Sequence, residues 1–170
     1  MIKVDKSNLE RVIVKKEEIP FYNNYIKDIR SRMERPEFLG TFTNEELEQL
    51  LDSNSYIYFY KDNNNIASTS MIIPACDKDI KKFGLDLDYK EVADYGPEAV
   101  SDNYRGNGLQ GYMLDELDKI ANEKGYKYAV STIHPENIYS INNFEKHGFK
   151  LVGLKDFKRG PRNIYYKELF

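Results

Sequence analysis

Along this chain apolar residues recur either at every second position or at a spacing of about 3.6, and the change from one to the other marks out the elements. Arg11-Val-Ile-Val-Lys-Lys16 is a short β-branched run and predicts a first strand. Pro20 suits a first helical position, and Phe21, Tyr25, Ile26, Ile29 and Met33 then return at helical spacing. A helix with those residues turned inward is predicted, stopped by Pro36. Thr43-Asn-Glu-Glu46 has the form of a capping box, in which hydroxyl and carboxylate each satisfy a backbone N–H of the helix start, and it predicts a short helix from Asn44 to Asp52. Tyr56 to Tyr60 and Ile66 to Ile73 flank the polar Asp62-Asn-Asn-Asn65 and predict a β-hairpin. Pro74 to Tyr89 is charged and shows no period, so an irregular connection is predicted there.

Glu91 to Val100 reads as a strand interrupted by Gly96-Pro97. A proline cannot donate to a ladder, so a bulge is expected in place of regular pairing. After a glycine-rich turn, Leu109, Met113, Leu117, Ile120 and Ala121 form one apolar face of a helix that Gly125 ends. Tyr126 to Ile133 is the next strand, and a strand–helix–parallel strand unit of this kind places ligands at the carboxyl ends of its strands. Phe149 to Leu154 and Asn163 to Leu169 predict a closing antiparallel pair, joined by a basic turn from Lys155 to Arg162.

With 170 residues the chain has the length of one domain, 1–170, and can bury a core without metal or disulfide support. Its net charge of −3 weighs against nucleic acid as a partner, because a phosphate backbone selects basic faces. The one cysteine, Cys76, has no internal disulfide partner, and Met1-Ile-Lys-Val-Asp-Lys6 lacks the apolar run of a signal peptide or membrane span. A cytoplasmic location away from membranes is therefore expected. His134 and His147 stand apart without cysteine neighbours or an HExxH spacing, so no metal site is expected.

The legible chemistry concentrates in Val100-Ser-Asp-Asn-Tyr-Arg-Gly-Asn-Gly-Leu-Gln-Gly111. Gly106 and Gly108 let the chain turn tightly and present bare N–H groups. With the unpaired N–H groups and dipole of the following helix, and Arg105 at the rim, they make a cradle for a pyrophosphate. Gly106, Gly108 and Gly111 have the spacing of a dinucleotide-binding loop. That loop wants an acidic residue roughly twenty positions on, whereas the next strand runs into Ser131-Thr-Ile-His134. A Walker loop would need Gly-Lys-Ser/Thr, which does not follow.

A third pattern fits better. Arg105-Gly106-Asn107-Gly108-Leu109-Gln110 resembles the Arg/Gln-x-x-Gly-x-Gly/Ala signature of the GNAT superfamily of N-acetyltransferases, with Gln110 where that family has glycine or alanine. The run from His134-Pro-Glu-Asn137 to Gly148-Phe149 is similar to the family's next motif, an asparagine followed by a helix ending in Glu-Lys-x-Gly-Phe. The resemblance implies an α/β (α+β) fold with a mixed, mostly antiparallel central sheet, one splayed parallel strand pair and about four helices. It implies acetyl transfer from acetyl-coenzyme A to a primary amine, of a small molecule or a peptide, by direct attack on the thioester, without a metal. A homodimer stays open.

Carried over residue by residue, the resemblance puts Arg105, Gly106, Asn107, Gly108, Leu109 and Gln110 on the pyrophosphate, and Val100 on the pantetheine arm through the bulged strand. Asn137, Ser140, Asn143 and Phe144 follow on the cofactor side of the later helix, although Asn137 alone also reads as a helix cap. Many members have a tyrosine at the position of Phe144 to protonate the departing thiolate. Phe144 has no proton to give, which makes Tyr165, Tyr166 or a water the expected substitute and leaves open an acyl-coenzyme A binding or sensing module without turnover. Glu98 and Asp94 are the carboxylates placed to take a proton from the amine, directly or through water. Lys155, Lys158, Arg159 and Arg162 read as a solvated turn, with the adenosine 3′-phosphate as the alternative contact. The acceptor site is expected from the first helices and the Pro74 to Tyr89 connection.

Overall fold

The computed structural model describes residues 1–170. Eight strands make one sheet: β1 (Glu10–Ile13), β2 (Tyr56–Asp62), β3 (Asn65–Pro74), β4 (Val92–Tyr95), β5 (Ala99–Val100), β6 (Tyr128–Ile133), β7 (Lys150–Phe157) and β8 (Gly160–Glu168). Five helices accompany it: α1 (Ile19–Ser31), α2 (Asn44–Asp52), α3 (Asp77–Lys82), α4 (Leu109–Glu123) and α5 (Ile138–Lys146). Across the sheet the order is β1-β2-β3-β4-β6-β8-β7, and β5 pairs with β3 off this path. Only β4 and β6 run parallel.

The sheet is covered on both faces. On β2, Tyr58 and Tyr60 join Leu114, Leu117 and Phe144 of α4 and α5, while Ile57 and Phe59 join Ile19, Tyr22, Ile26 and Leu47 of α1 and α2. A strand buried on both sides loses its alternation, which is why Tyr56 to Tyr60 reads as an unbroken apolar run. The capping box forms as expected: Glu46 N donates to Thr43 Oγ1 at 3.1 Å and Thr43 N to Glu46 Oε1 at 3.0 Å.

Three expectations need correction. Helix α1 starts at Ile19 and buries Tyr22, leaving Phe21 59 % exposed. Its inner face includes Asn23, whose Nδ2 donates to Phe42 O and Asn44 Oδ1, and a polar residue on that face hid the helix's phase. The connection after Pro74 contains α3, a fifth helix. It seats Ile80 against Phe83, Val92, Val130 and Ile164, a tertiary contact that a six-residue stretch cannot announce by period. Strands β7 and β8 run through most of the basic stretch and turn at Lys158-Arg159 alone.

The parallel pair is split as the family resemblance implies, and the bulge that Gly96-Pro97 predicts lies at the split. Tyr95 pairs with Ile72 and Ala99 with Thr69, so Gly96, Pro97 and Glu98 face only Ser70 and Met71. That surplus residue is a bulge. Pairing of β4 with β6 ends at Asp94 and Val130, and β6 runs on to Ile133 with only the Ser131 Oγ to Tyr95 O bond, 2.9 Å, reaching across.

Candidate active site

The turn into α4 is shaped by its glycines. Gly106 and Gly108 have φ of +83° and +67°, the left-handed region that side chains disfavour. Gly108 is the N-cap and has no side chain to offer, and no acidic residue stands in the first turn. The leading N–H groups of a 15-residue helix are therefore without a side-chain cap. Arg105 is exposed and pairs with Asp102 at 2.9 Å.

The side chain of Asn107, a residue expected among the cofactor ligands, is engaged by the N-terminal segment, which leaves its backbone N–H for that role. Its Oδ1 accepts from Val4 N at 3.1 Å, and its Nδ2 donates to Ile2 O at 2.8 Å and Tyr104 O at 2.9 Å. The N-terminal segment is thereby fastened beside the loop. Lys6 Nζ lies 3.1 Å from where a Cβ on Gly108 would stand, a cation over the turn that no local motif could have revealed.

Two cavities meet behind the loop. One, of about 400 Å³, is lined by Ala99, Val100, Arg105, Gly106, Leu109 and Met113, with Ile29 of α1, Met33 just beyond it and Tyr139 of α5 opposite. The other, of about 150 Å³, lies in the split between Asp94 to Pro97 and Ser131 to Ile133, closed by Phe38, Gly40, Phe42, Arg159 and Arg162. Phe38, Leu39, Glu98, Asn137 and Ser140 line both. Glu98 is the one ionisable group on that shared wall.

Both expected carboxylates are perturbed. Both oxygens of Glu98 are buried without a hydrogen bond. Burial pushes the group up to about 8, with the nearby Gln110 amide acting in the opposite sense and Asp118 reinforcing the shift. Asp94, in the smaller cavity, is pushed up to about 7, first by desolvation and then by Asp79, against the pull of Arg159. A carboxyl with an affinity for protons near the ambient pH, in a cavity, is placed for proton transfer.

The later helix departs from expectation in part. Asn137 Oδ1 accepts from Ser140 N at 3.4 Å, so Asn137 caps α5 while it also lines both cavities. Gln110, 9 % exposed, bridges α4 to α5: its Nε2 donates to Ser140 Oγ at 2.9 Å and its Oε1 accepts from Asn143 Nδ2 at 2.8 Å. Asn143 thus serves the bridge and lines neither cavity. Phe144 lines the smaller cavity and meets Phe149 edge-on at 4.9 Å.

The substitute tyrosines are not at the site. Tyr165 is 1 % exposed in the core behind α4 and α5, and the Tyr166 hydroxyl donates to Glu168 Oε1 at 3.2 Å. Neither lines a cavity. Tyr95 does, but its hydroxyl donates to Asp118 Oδ1 at 2.9 Å. The Pro74 to Tyr89 connection also lines neither cavity. Phe38 to Phe42, between α1 and α2, takes that place, and Arg159 and Arg162 turn to the smaller cavity instead of the glycine loop.

A sheet parted at its one parallel pair, with an uncapped helix start at the side of the gap, defines the class of acyl-coenzyme A N-acyltransferases. The sequence agrees: residues 23–149 match the model of the acetyltransferase (GNAT) family, and the chain belongs to that family. It is an acyltransferase of the GNAT N-acetyltransferase type. A comparison with curated proteins gave no significant sequence match.

Solved structures share the fold at low identity. An N-acetyltransferase from Staphylococcus aureus Mu50 is 19 % identical with a TM-score of 0.73, over 96 % of this chain and 99 % of its own. The ribosomal-protein-S18-alanine N-acetyltransferase from Escherichia coli is 13 % identical with a TM-score of 0.69, over 95 % and 94 %. The yncA structure from Salmonella typhimurium, determined with its cofactor acetyl-CoA, is 13 % identical with a TM-score of 0.69, over 96 % and 95 %.

Proposed function

We propose that this chain transfers an acetyl group from acetyl-coenzyme A to a primary amine, with Glu98 as the proton acceptor. The observation that carries the reading is the position of Glu98, buried, unbonded and on the wall common to both cavities. The larger cavity suits the thioester's carrier: bare N–H groups at Gly106 to Gln110 and the charge of Arg105 for the pyrophosphate, and the Ala99-Val100 edge for the arm. The smaller cavity is left for the amine.

An ammonium group cannot attack, because its lone pair holds a proton. Glu98 in its ionised form takes that proton, the freed nitrogen bonds to the thioester carbonyl carbon, and as the carbon–sulfur bond breaks the nitrogen gives up its second proton to water, leaving the amide and a thiolate. Of the tyrosines lining the cavities, Tyr95 and Tyr104 donate to Asp118 and Asp62, and only the Tyr139 hydroxyl, on the larger cavity, is uncommitted and open to protonate that thiolate. A thiol pKa of about 8.5 makes it a tolerable leaving group without help. Positioning by the two facing cavities supplies the larger share of the rate.

Phe144 favours a second reading, a module that binds acyl-coenzyme A without turnover. Thermal shift against coenzyme A thioesters and NAD, followed by thiol release across an amine panel, separates the two. Stabilisation by acetyl-coenzyme A with thiol release above background supports the transferase. Stabilisation with no release from any amine leaves the binding module.

A further inference from the structure

Arg162 is a buried cation without a counter-ion. It is 3 % exposed and lines the smaller cavity, and its bonds go only to carbonyls: Nη1 to Pro161 O at 2.8 Å and Arg159 O at 3.4 Å, Nη2 to Glu37 O at 2.9 Å. Of the five N–H donors of a guanidinium, Nε–H and one on Nη2 are left over. Arg159 lines the same cavity, and no carboxylate lies within 4.0 Å of either guanidinium. Burial, and after it the charge of Arg159, weakens the hold of Arg162 on its proton, with Glu37 acting in the opposite sense. Asp94 and Glu98, the carboxyls facing them, are both pushed toward the neutral form. A buried charge of this kind is costly unless something anionic completes it.

We propose that the acceptor is a small amino acid or close analogue, an amine whose own carboxylate is held by Arg159 and Arg162 while its nitrogen faces Glu98. The assignment rests on the transferase reading and names its substrate class. A planar carboxylate matches the fork of a guanidinium, and hydrogen bonds to charged groups are the strong ones. A volume near 150 Å³ holds something benzene-sized, which accommodates the amine and carboxylate of a small amino acid. A polyamine or other polycation would be repelled by the two arginines. Gly40 belongs to the same device, since a Cβ there would collide with the Arg159 guanidinium resting on it.

The test is thiol release from acetyl-coenzyme A with amino acids, each paired with its decarboxylated amine and its methyl ester. Arg159→Ala and Gly40→Ala are the variants, because both alter the exposed end of a flexible side chain and leave Arg162 in place. The expected result is that wild type prefers the amino acid over its decarboxylated amine by about 10- to 100-fold in kcat/KM, with that ratio reduced several-fold in both variants through KM and the remainder carried by Arg162. Equal use of the decarboxylated amine by wild type, or a preference undiminished by both substitutions, overturns the proposal while the transferase reading stands. Absence of release from every amine, with acetyl-coenzyme A still bound, overturns the transferase reading and the acceptor class with it.

Discussion

The two cavities share five residues and little else. The larger is organised by one continuous stretch, Val100 to Met113, whose contribution is backbone: positive-φ glycines, an uncapped helix start, the free edge of β5. The smaller is assembled from side chains that arrive from distant places, among them Phe38 to Phe42, Asp94 to Glu98, Ser131 to Ile133, Phe144 of α5, Arg159 of the last turn and Arg162 of β8. One is a holder built from the main chain and tolerant of sequence; the other is a recognition surface that single substitutions can re-aim. The difference teaches where to expect a shared cosubstrate and where to expect individuality.

Breaking the division at its seam should cost most. Glu98→Gln keeps shape and removes the proton acceptor, so kcat should fall about 10²- to 10⁴-fold and the rise of rate with pH toward about 8 should vanish, with coenzyme A affinity nearly unchanged. A pH–rate series with a binding titration checks this, and an affinity loss matching the rate loss would place Glu98 in the holder instead. Next, Gly108→Val forces a β-branched residue into φ +67° beneath Lys6. Strain of this kind costs about 1–3 kcal/mol, so acetyl-coenzyme A affinity should drop roughly 5- to 100-fold while the acceptor KM holds. An unchanged affinity in a folded variant would remove the glycine loop from the cosubstrate site.

Stability offers a milder probe. Folded Glu98 and Asp94 titrate near 8 and 7, above their ordinary 4.5 and 3.8, so the folded protein keeps protons that the unfolded chain releases. Their contribution is complete below about 4 and is lost as pH rises to about 8. Glu98→Gln should therefore melt higher than wild type at pH 8.5, and a lower melting temperature there would contradict a desolvated carboxyl. Lys6→Ala should weaken coenzyme A binding by up to about 5-fold at low salt and less at high salt. Smallest is Phe144→Tyr, which offers a hydroxyl to the acceptor side. Less than about 10-fold gain in kcat is expected, and a 100-fold gain would show that thiolate protonation limits the reaction.

Most of the strands, the α2 cap, the bulge and the glycine turn could be read from residues because each depends on neighbours a few positions apart. Thr43 and Glu46 need only each other, and Gly96-Pro97 disrupts pairing whatever lies opposite. What escaped depends on distant partners. The side chain of Asn107 is held by Ile2 and Val4 and that of Asn143 by Gln110, partners that lie too far along the chain for either asparagine to announce them. Arg159 and Arg162 looked like a solvated turn because charge spacing carries no sign of burial, and Arg162 is closed in by Glu37, far away in the chain.

The attachment of Ile2 and Val4 to Asn107 bears on how the protein should be handled. Met1 Cε also comes within 3.6 Å of the place a Gly106 Cβ would occupy. Altering residues 1–4 should therefore loosen the glycine turn, and binding constants for the cosubstrate should be measured with this segment intact.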